Sequence, residues 1–245
     1  MNNAILILAG GLGKRMKSPL PKVLHKLNNF SLLGNIINKI SINLNNDIFV
    51  VTGKYHNIIQ NQLKDELGEL ENKITYVNQS ESLGTGHALQ CAFESIKNYD
   101  GVIVLNGDVP FINIDTIKEI NNNKANCLLG ICKMDILKPE WKGHGRIILK
   151  DGNIIKIVEE KDCSEEQKLI STINGGLYYF NNYILSKFIN NLNNNNKQNE
   201  YYITDYIDIF VTNGYNVQPV YLSVNEVLNV NTPEQLQTAK KILNL

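Results

Sequence analysis

The way the first buried stretch ends constrains this chain more than any other feature. Ala4-Ile5-Leu6-Ile7 is an uninterrupted apolar run that opens directly into Leu8-Ala9-Gly10-Gly11-Leu12-Gly13-Lys14-Arg15-Met16. A run with no polar face predicts a strand covered on both sides, as in a parallel sheet. The pattern then repeats. Residues 31–44 place Leu32, Leu33, Ile36, Ile37 and Ile40 at helical spacing, and Ile48-Phe49-Val50-Val51 is a second apolar run ended by Gly53. Residues 55–67 read as helix, 74–78 as strand, 84–96 as helix and 102–106 as strand. This alternation predicts an α/β fold, a mostly parallel sheet with helices on both faces.

Beyond residue 112 the pattern is mixed. Strands are expected at 127–134 and 174–180, and at 146–149 and 154–158 as a hairpin around Asp151-Gly152. Ser164 with Gln167 has the form of a capping box. Helices are expected at 182–192 and 203–211, and a last strand at 217–222. Thr232, Pro233 and Gln235 make a strong helix start, and that helix is expected to run to Leu245. The expected organisation is one domain over 1–231, with a nucleotide-binding half (1–112) and a smaller β-rich half (113–231) that closes over a second substrate. A C-terminal helix (232–245) follows.

Lys and Arg together number 24 and balance 24 Asp and Glu, which argues against nucleic acid or an acidic surface as partner. Cys91, Cys127, Cys132 and Cys163 form no C-x-x-C pair and are expected to be buried free thiols of a reducing compartment. The N-terminus has no signal-peptide pattern, and no apolar run is long enough to span a bilayer. A cytoplasmic protein, monomeric or a small homo-oligomer, without nucleic-acid or membrane partners, is the expectation.

The chemistry concentrates at strand ends. Glycines 10, 11 and 13 let backbone N–H groups converge on phosphates, and Lys14, Arg15, Lys17 and Lys22 add positive charge. This is not a Walker A loop, because Arg15 follows Gly13-Lys14 and Leu8 stands where that loop needs glycine. It is not a dinucleotide fingerprint either, because Met16 holds the place of the third glycine. Asn106-Gly107-Asp108 ends the fourth strand, so Asp108 is expected to face the same crevice as Gly11. A carboxylate beside a phosphate cradle needs a cation between them, and Mg²⁺ held by carboxylates and substrate phosphates is the common solution. Gln79, ahead of Gly84-Thr85-Gly86, can pair with a base edge, and His87 is expected to be structural.

Eight segments in order resemble one family: Leu8-Ala9-Gly10-Gly11-x-Gly13-x-Arg15-Met16, Pro21-Lys22-Val23-Leu24-His25, Leu83-Gly84-Thr85-Gly86-His87-Ala88, Gly107-Asp108-Val109-Pro110, Gly143-His144-Gly145-Arg146, Ile157-Val158-Glu159, Ile173-Asn174-Gly175-Gly176 and Glu200-Tyr201-Tyr202-Ile203-Thr204-Asp205. Together they resemble the sugar nucleotidyltransferases, most closely the uridyltransferase half of the bacterial bifunctional N-acetylglucosamine-1-phosphate uridyltransferases. The resemblance implies a Rossmann-like nucleotidyltransferase fold and transfer of UMP from UTP to N-acetylglucosamine 1-phosphate. It implies Arg15, Lys22 and Asp108 as catalytic residues, and Leu8, Ala9, Gly10, Gly11, Gln79, Gly84, Thr85 and Asn106 along the nucleotide. Gly145, Glu159 and Asn174 would hold the sugar, and Asp108 with Asn231 would hold Mg²⁺. Gly10, Asn106, Asn229 and Thr232 depart from the pattern of those relatives. Hexapeptide repeats are absent, so acetyl transfer and the trimer built by such repeats are not expected. A glucose-1-phosphate uridylyl- or thymidylyltransferase, or a catalytically silent sugar-nucleotide-binding module, are the alternatives.

Overall fold

The computed structural model describes residues 1–11, 13–135 and 143–243. Strands β1 (Asn3–Leu8), β2 (Ile48–Thr52), β3 (Ile74–Asn78) and β4 (Gly101–Asn106) form where the apolar runs lie, with α1 (Leu32–Asn43), α2 (His56–Leu67) and α3 (Thr85–Ile96) between them. The chain continues through α4 (Ile114–Asn121), β5 (Cys127–Lys133), β6 (Arg146–Lys150) and β7 (Asn153–Val158). It ends with α5 (Glu165–Lys168), β8 (Thr172–Asn181), α6 (Asn182–Phe188), α7 (Asp205–Thr212), β9 (Val217–Tyr221) and α8 (Pro233–Ile242).

The sheet order is β3-β2-β1-β4-β8-β5-β9, with the β6–β7 hairpin attached to the start of β8. β8 runs antiparallel to both its neighbours, and the other strands of that path share one direction. This has a consequence for function. The N-terminal end of β8, which carries Asn174, lies at the same sheet edge as the C-terminal ends of β1 and β4.

Side-chain alternation explains the two-sided core. Ile5 and Ile7 of β1 and Ile103 and Leu105 of β4 pack with Ile36, Ile37, Ile59, Leu63 and Ile117 of α1, α2 and α4. The alternate residues Ala4, Leu6, Val102 and Val104 pack with Leu89, Phe93, Leu185, Tyr206 and Phe210 of α3, α6 and α7 on the opposite face. Continuous apolar runs are what a sheet sandwiched in this way requires.

Local signals behave as read, with three exceptions. Asp151 (φ 52°) and Gly152 (φ 78°) are both left-handed, which is the turn that fits the twist of the β6–β7 hairpin. Ser164 and Gln167 complete a reciprocal capping box, and Thr232 caps α8 with Pro233 at its first position. Helix α6 stops at Phe188 instead of running to residue 192. The asparagine-rich segment after it bonds to its own backbone: Asn193 Oδ1 accepts from the N–H of Asn195, and Asn196 Oδ1 from those of Gln198 and Glu200. Such local bonds compete with the helical ladder. Helix α7 starts at Asp205, because Tyr201 and Ile203 donate their N–H groups to Leu83 O and Thr85 Oγ1. All four cysteines are free, but Cys91 is half-buried and not fully buried. Residues 244–245 of the expected last helix lie outside the described residues, among which no helix is long and apolar enough to cross a membrane.

Candidate active site

In the sheet register Leu8 is opposite Asn106, so β1 and β4 end side by side and send their loops out of the same edge. The chain leaves β1 for β2 on one side, while β4 lies on the other, which makes this a topological switch point where open α/β sheets bind ligands. The loop after β1 starts flat against the sheet, with Ala9 N–H donating to Val51 O and Gly107 N–H to Leu8 O. Ala9 points its side chain into the core, so only its backbone is available to a ligand. Gly13 has φ +59°, and a Cβ there would stand 2.8 Å from Lys22 Cβ. Glycine is required at this point because the lysine passes beneath the loop.

Lys22 is the centre of the arrangement. Its Nζ makes an ion pair with Asp108 Oδ2 and donates to Asn231 Oδ1 at 2.8 Å. The two residues read from the sequence as metal ligands therefore converge on one cationic point, which the ammonium occupies. Both are 7% exposed. Their convergence has a backbone basis. Val230 N–H donates to Asp108 O, and Asn231 N–H donates to Gln235 Oε1 in the first turn of α8. A carboxylate and a carboxamide oxygen facing one charge suit a hard divalent cation whose remaining ligands come from phosphates and water. No cluster of three or more His, Cys, Asp or Glu able to hold a metal exists among the described residues. Arg15 is exposed on a short turn of helix and has no partner among the described residues.

A cavity of about 160 Å³ adjoins this point, and Thr85, Asn106, Asp108, Gly145, Glu159 and Asn174 all line it. The structure thus brings together residues from five separate segments. Asn174 is buried, donates Nδ2 to Tyr178 OH (2.7 Å) and accepts the Gly176 N–H on Oδ1 (3.0 Å), which fixes its carboxamide. Glu159 accepts from Thr204 Oγ1 at 2.9 Å; burial pushes its carboxyl up, and the threonine hydroxyl partly offsets that. The loop bearing Gly145 is held from behind by Arg146, which donates to His144 O and makes an ion pair with Glu160 at 2.7 Å. Burial lowers the pKa of His144 in the same wall.

Gln79, Gly84 and Gly10 form the other flank. Gln79 is 5% exposed, and a Cβ on Gly10 would stand 3.3 Å from its Oε1. Gly84 (φ +112°) abuts Tyr201, whose carbonyl accepts the Gly86 N–H, so the 83–86 turn and the 200–204 segment share a seam. Sequence reasoning missed the buttresses Gln235, Thr204, Tyr178 and Arg146. Gln235 had a local signal in the helix-start pattern, and Arg146 and Thr204 stand in segments that carry the family resemblance, but none of these signals gave a partner. A larger cavity of about 340 Å³ lies behind Glu159, but Asp162, Asp205 and Asp208 line it. Burial, then the nearby Asp208 and Asp162, push Asp205 up to about 6. That acidic wall is unsuited to phosphates.

The fold has close counterparts. A UDP-glucose pyrophosphorylase solved with UDP-glucose superposes with a TM-score of 0.75 at 18% identity, covering 100% of this chain and 99% of that one. An inositol-1-phosphate CTP transferase from T. maritima gives 0.70 at 16%, covering 98% and 96%. The architecture is therefore the mixed, mostly parallel Rossmann-like nucleotidyltransferase fold. In sequence, the chain is 40% identical over 248 residues to an Acanthamoeba polyphaga mimivirus protein named "Probable UDP-N-acetylglucosamine pyrophosphorylase", covering 97% of this chain and 95% of that one. It is 37% identical over 244 residues to the bifunctional protein GlmU of Clostridium botulinum (strain Eklund 17B / Type B), covering 99% of this chain and 52% of that one. The chain thus spans about half the length of such bifunctional relatives. The nucleotidyl transferase family profile matches residues 4–229, from the first strand to the segment that carries Asn231 towards Asp108. With β1, β4 and their ligand-facing loops all inside that match, the chain belongs to the nucleotidyl transferase family.

Proposed function

We propose that this protein transfers UMP from UTP to N-acetylglucosamine 1-phosphate, releasing pyrophosphate. The observation that carries this reading is the convergence of Lys22, Asp108 and Asn231 on one cationic point beside the cavity lined by Gly145, Glu159 and Asn174. A relative of 40% identity over nearly its whole length carries the pyrophosphorylase activity in its name.

The nucleophile, a sugar phosphate oxygen, is already anionic at neutral pH, so the reaction needs no general base. The obstacle is bringing two anions together. The glycine loop offers backbone N–H groups to the triphosphate, and Lys22 offers its ammonium to the phosphates. Arg15, exposed on the same loop, would meet the leaving phosphates. Asp108 and Asn231 would hold Mg²⁺, which when bound neutralises charge on the triphosphate. Asn174 and Glu159 are held in fixed orientations by Tyr178, Gly176 and Thr204, and would orient the sugar so that its phosphate approaches in line with the leaving group. Gln79 would read the base.

The test is pyrophosphate release with UTP, Mg²⁺ and N-acetylglucosamine 1-phosphate, run beside glucose 1-phosphate, glucosamine 1-phosphate and dTTP. Turnover confined to UTP with the N-acetyl sugar is the expected result. Turnover with another pair moves the specificity, and nucleotide binding without turnover overturns the enzymatic reading.

A further inference from the structure

Gln79 has a carboxamide whose two ends are not interchangeable here. Nε2 donates to Gly84 O at 3.0 Å and to Nδ1 of His87 at 3.0 Å. A carbonyl oxygen can only accept, so the amide nitrogen must face Gly84. The second N–H is taken by the His87 ring, which accepts at Nδ1 and therefore carries its proton on Nε2. Cys91, one helical turn further along α3, places Sγ 3.6 Å from that Nε2 and supplies an acceptor for it. The Gln79 backbone is anchored as well, with its N–H donating to Thr52 O at 2.7 Å. Both donors of the carboxamide are thus spent inside the protein. What remains is Oε1, turned towards Gly10 on the glycine loop, and no described residue donates to it.

We infer that His87 is a positioning residue that sets base selectivity through Gln79: by occupying the second amide N–H, it leaves Gln79 only an acceptor to show an incoming base. This rests on the proposed reading of Gln79 as the base reader. An acceptor suits the imide N3–H of uracil or thymine. It meets the unprotonated N3 of cytosine lone pair to lone pair, so cytosine is rejected at the cost of a desolvated, unpaired acceptor. A histidine here does more than fill the start of α3, because its acceptor determines which end of the glutamine is available.

The experiment compares His87→Asn with His87→Gln. Asparagine puts its amide oxygen near the place of Nδ1 and retains an acceptor for Gln79, whereas glutamine reaches towards the place of Nε2. Both are polar and near the size of histidine, and thermal melts check that each variant folds. The readout is kcat/KM for UTP against CTP, with KM and kcat separated. Wild type and His87→Asn are expected to favour UTP similarly, and His87→Gln to lose roughly tenfold of that preference through the KM for UTP, on the scale of one hydrogen bond. In a Gln79→Leu background the two His87 substitutions are expected to have no further effect on the ratio, because His87 acts only through Gln79. Equal UTP preference in wild type and both variants, or a change in kcat and melting temperature alone, overturns the role of His87. A wild type that does not prefer UTP over CTP overturns the base-reading role of Gln79 itself, and this inference with it.

Discussion

On the β1–β4 side of the cavity, three segments far apart in sequence meet through an ammonium, a carboxylate and a carboxamide: Lys22, Asp108 and Asn231. On the β7–β8 side the two residues read as sugar-holding are already paired within the protein, Asn174 with Tyr178 and Gly176, and Glu159 with Thr204. The first arrangement joins an ammonium to a carboxylate and an amide oxygen, and on the proposed function phosphate and a divalent cation would replace these internal pairs. The second is made of groups locked in one orientation before ligand arrives. On the proposed function, charge handling and shape recognition fall to opposite walls, and substitutions on the two walls should fail in different ways.

The largest effect should come from the charged wall. Asp108→Ala and Lys22→Ala are each expected to lower kcat by ~100-fold or more, the scale of losing one charge-stabilising group. Steady-state pyrophosphate release measures this, and near-normal rates in both would break the comparison. On the other wall, Thr204→Val frees Glu159 from its hydroxyl partner. It is expected to raise KM for the sugar phosphate by about tenfold, with kcat and the KM for UTP little changed. A kcat loss as large as at Lys22 would remove the distinction between the walls.

Two smaller effects sharpen it. Lys22→Met removes the cation that Asp108 and Asn231 hold in the ligand-free protein. Mn²⁺ binding without nucleotide, followed by electron paramagnetic resonance, is expected to tighten by about fivefold, the scale of one partly exposed ion pair. Weaker binding would mean that the two oxygens do not form the cation site. Asp205→Asn addresses the acidic cavity behind Glu159. The pKa of Asp205 is raised to about 6 in the fold, so its charged form costs stability above that pH, and the cost fades as pH falls towards its unfolded value. After discounting for solvent screening, a gain of about 1 kcal/mol is expected at pH 7.5, a rise in Tm of about 2–4 °C that disappears by about pH 4. A gain that persists at pH 4 would show that the charge is not its source.

The two walls also differed in how legible they were. The charged wall, apart from Asn231, which only the family resemblance implied, is written in local patterns: glycines after a buried strand, Lys22 between prolines and the next helix, Asp108 at a strand end. Its placement follows from the rule that ligands sit at the C-terminal ends of parallel strands. The β7–β8 wall has no such grammar. Asn174 reaches the same edge only because β8 runs against its neighbours, and a single apolar strand does not announce its direction. Its residues were implied by family resemblance alone, and the partners that fix them are visible only in the folded chain. Thr204 meets Glu159 across 45 residues, and Arg146 meets Glu160 through the folded hairpin. Secondary structure was misread at residues 189–192 and 203–204, where asparagine side chains and the seam with Leu83 and Thr85 override helical spacing.

The central claim is that the α-phosphorus of a nucleoside triphosphate is attacked by a sugar phosphate held on the β7–β8 wall. Following the label from α-³²P-UTP and γ-³²P-UTP, each with Mg²⁺ and N-acetylglucosamine 1-phosphate, tests it most directly. The account predicts that the α label passes into the sugar nucleotide while the γ label leaves as pyrophosphate. A γ label found on the sugar, or an α label that never leaves UTP while sugar phosphate is bound, would contradict it.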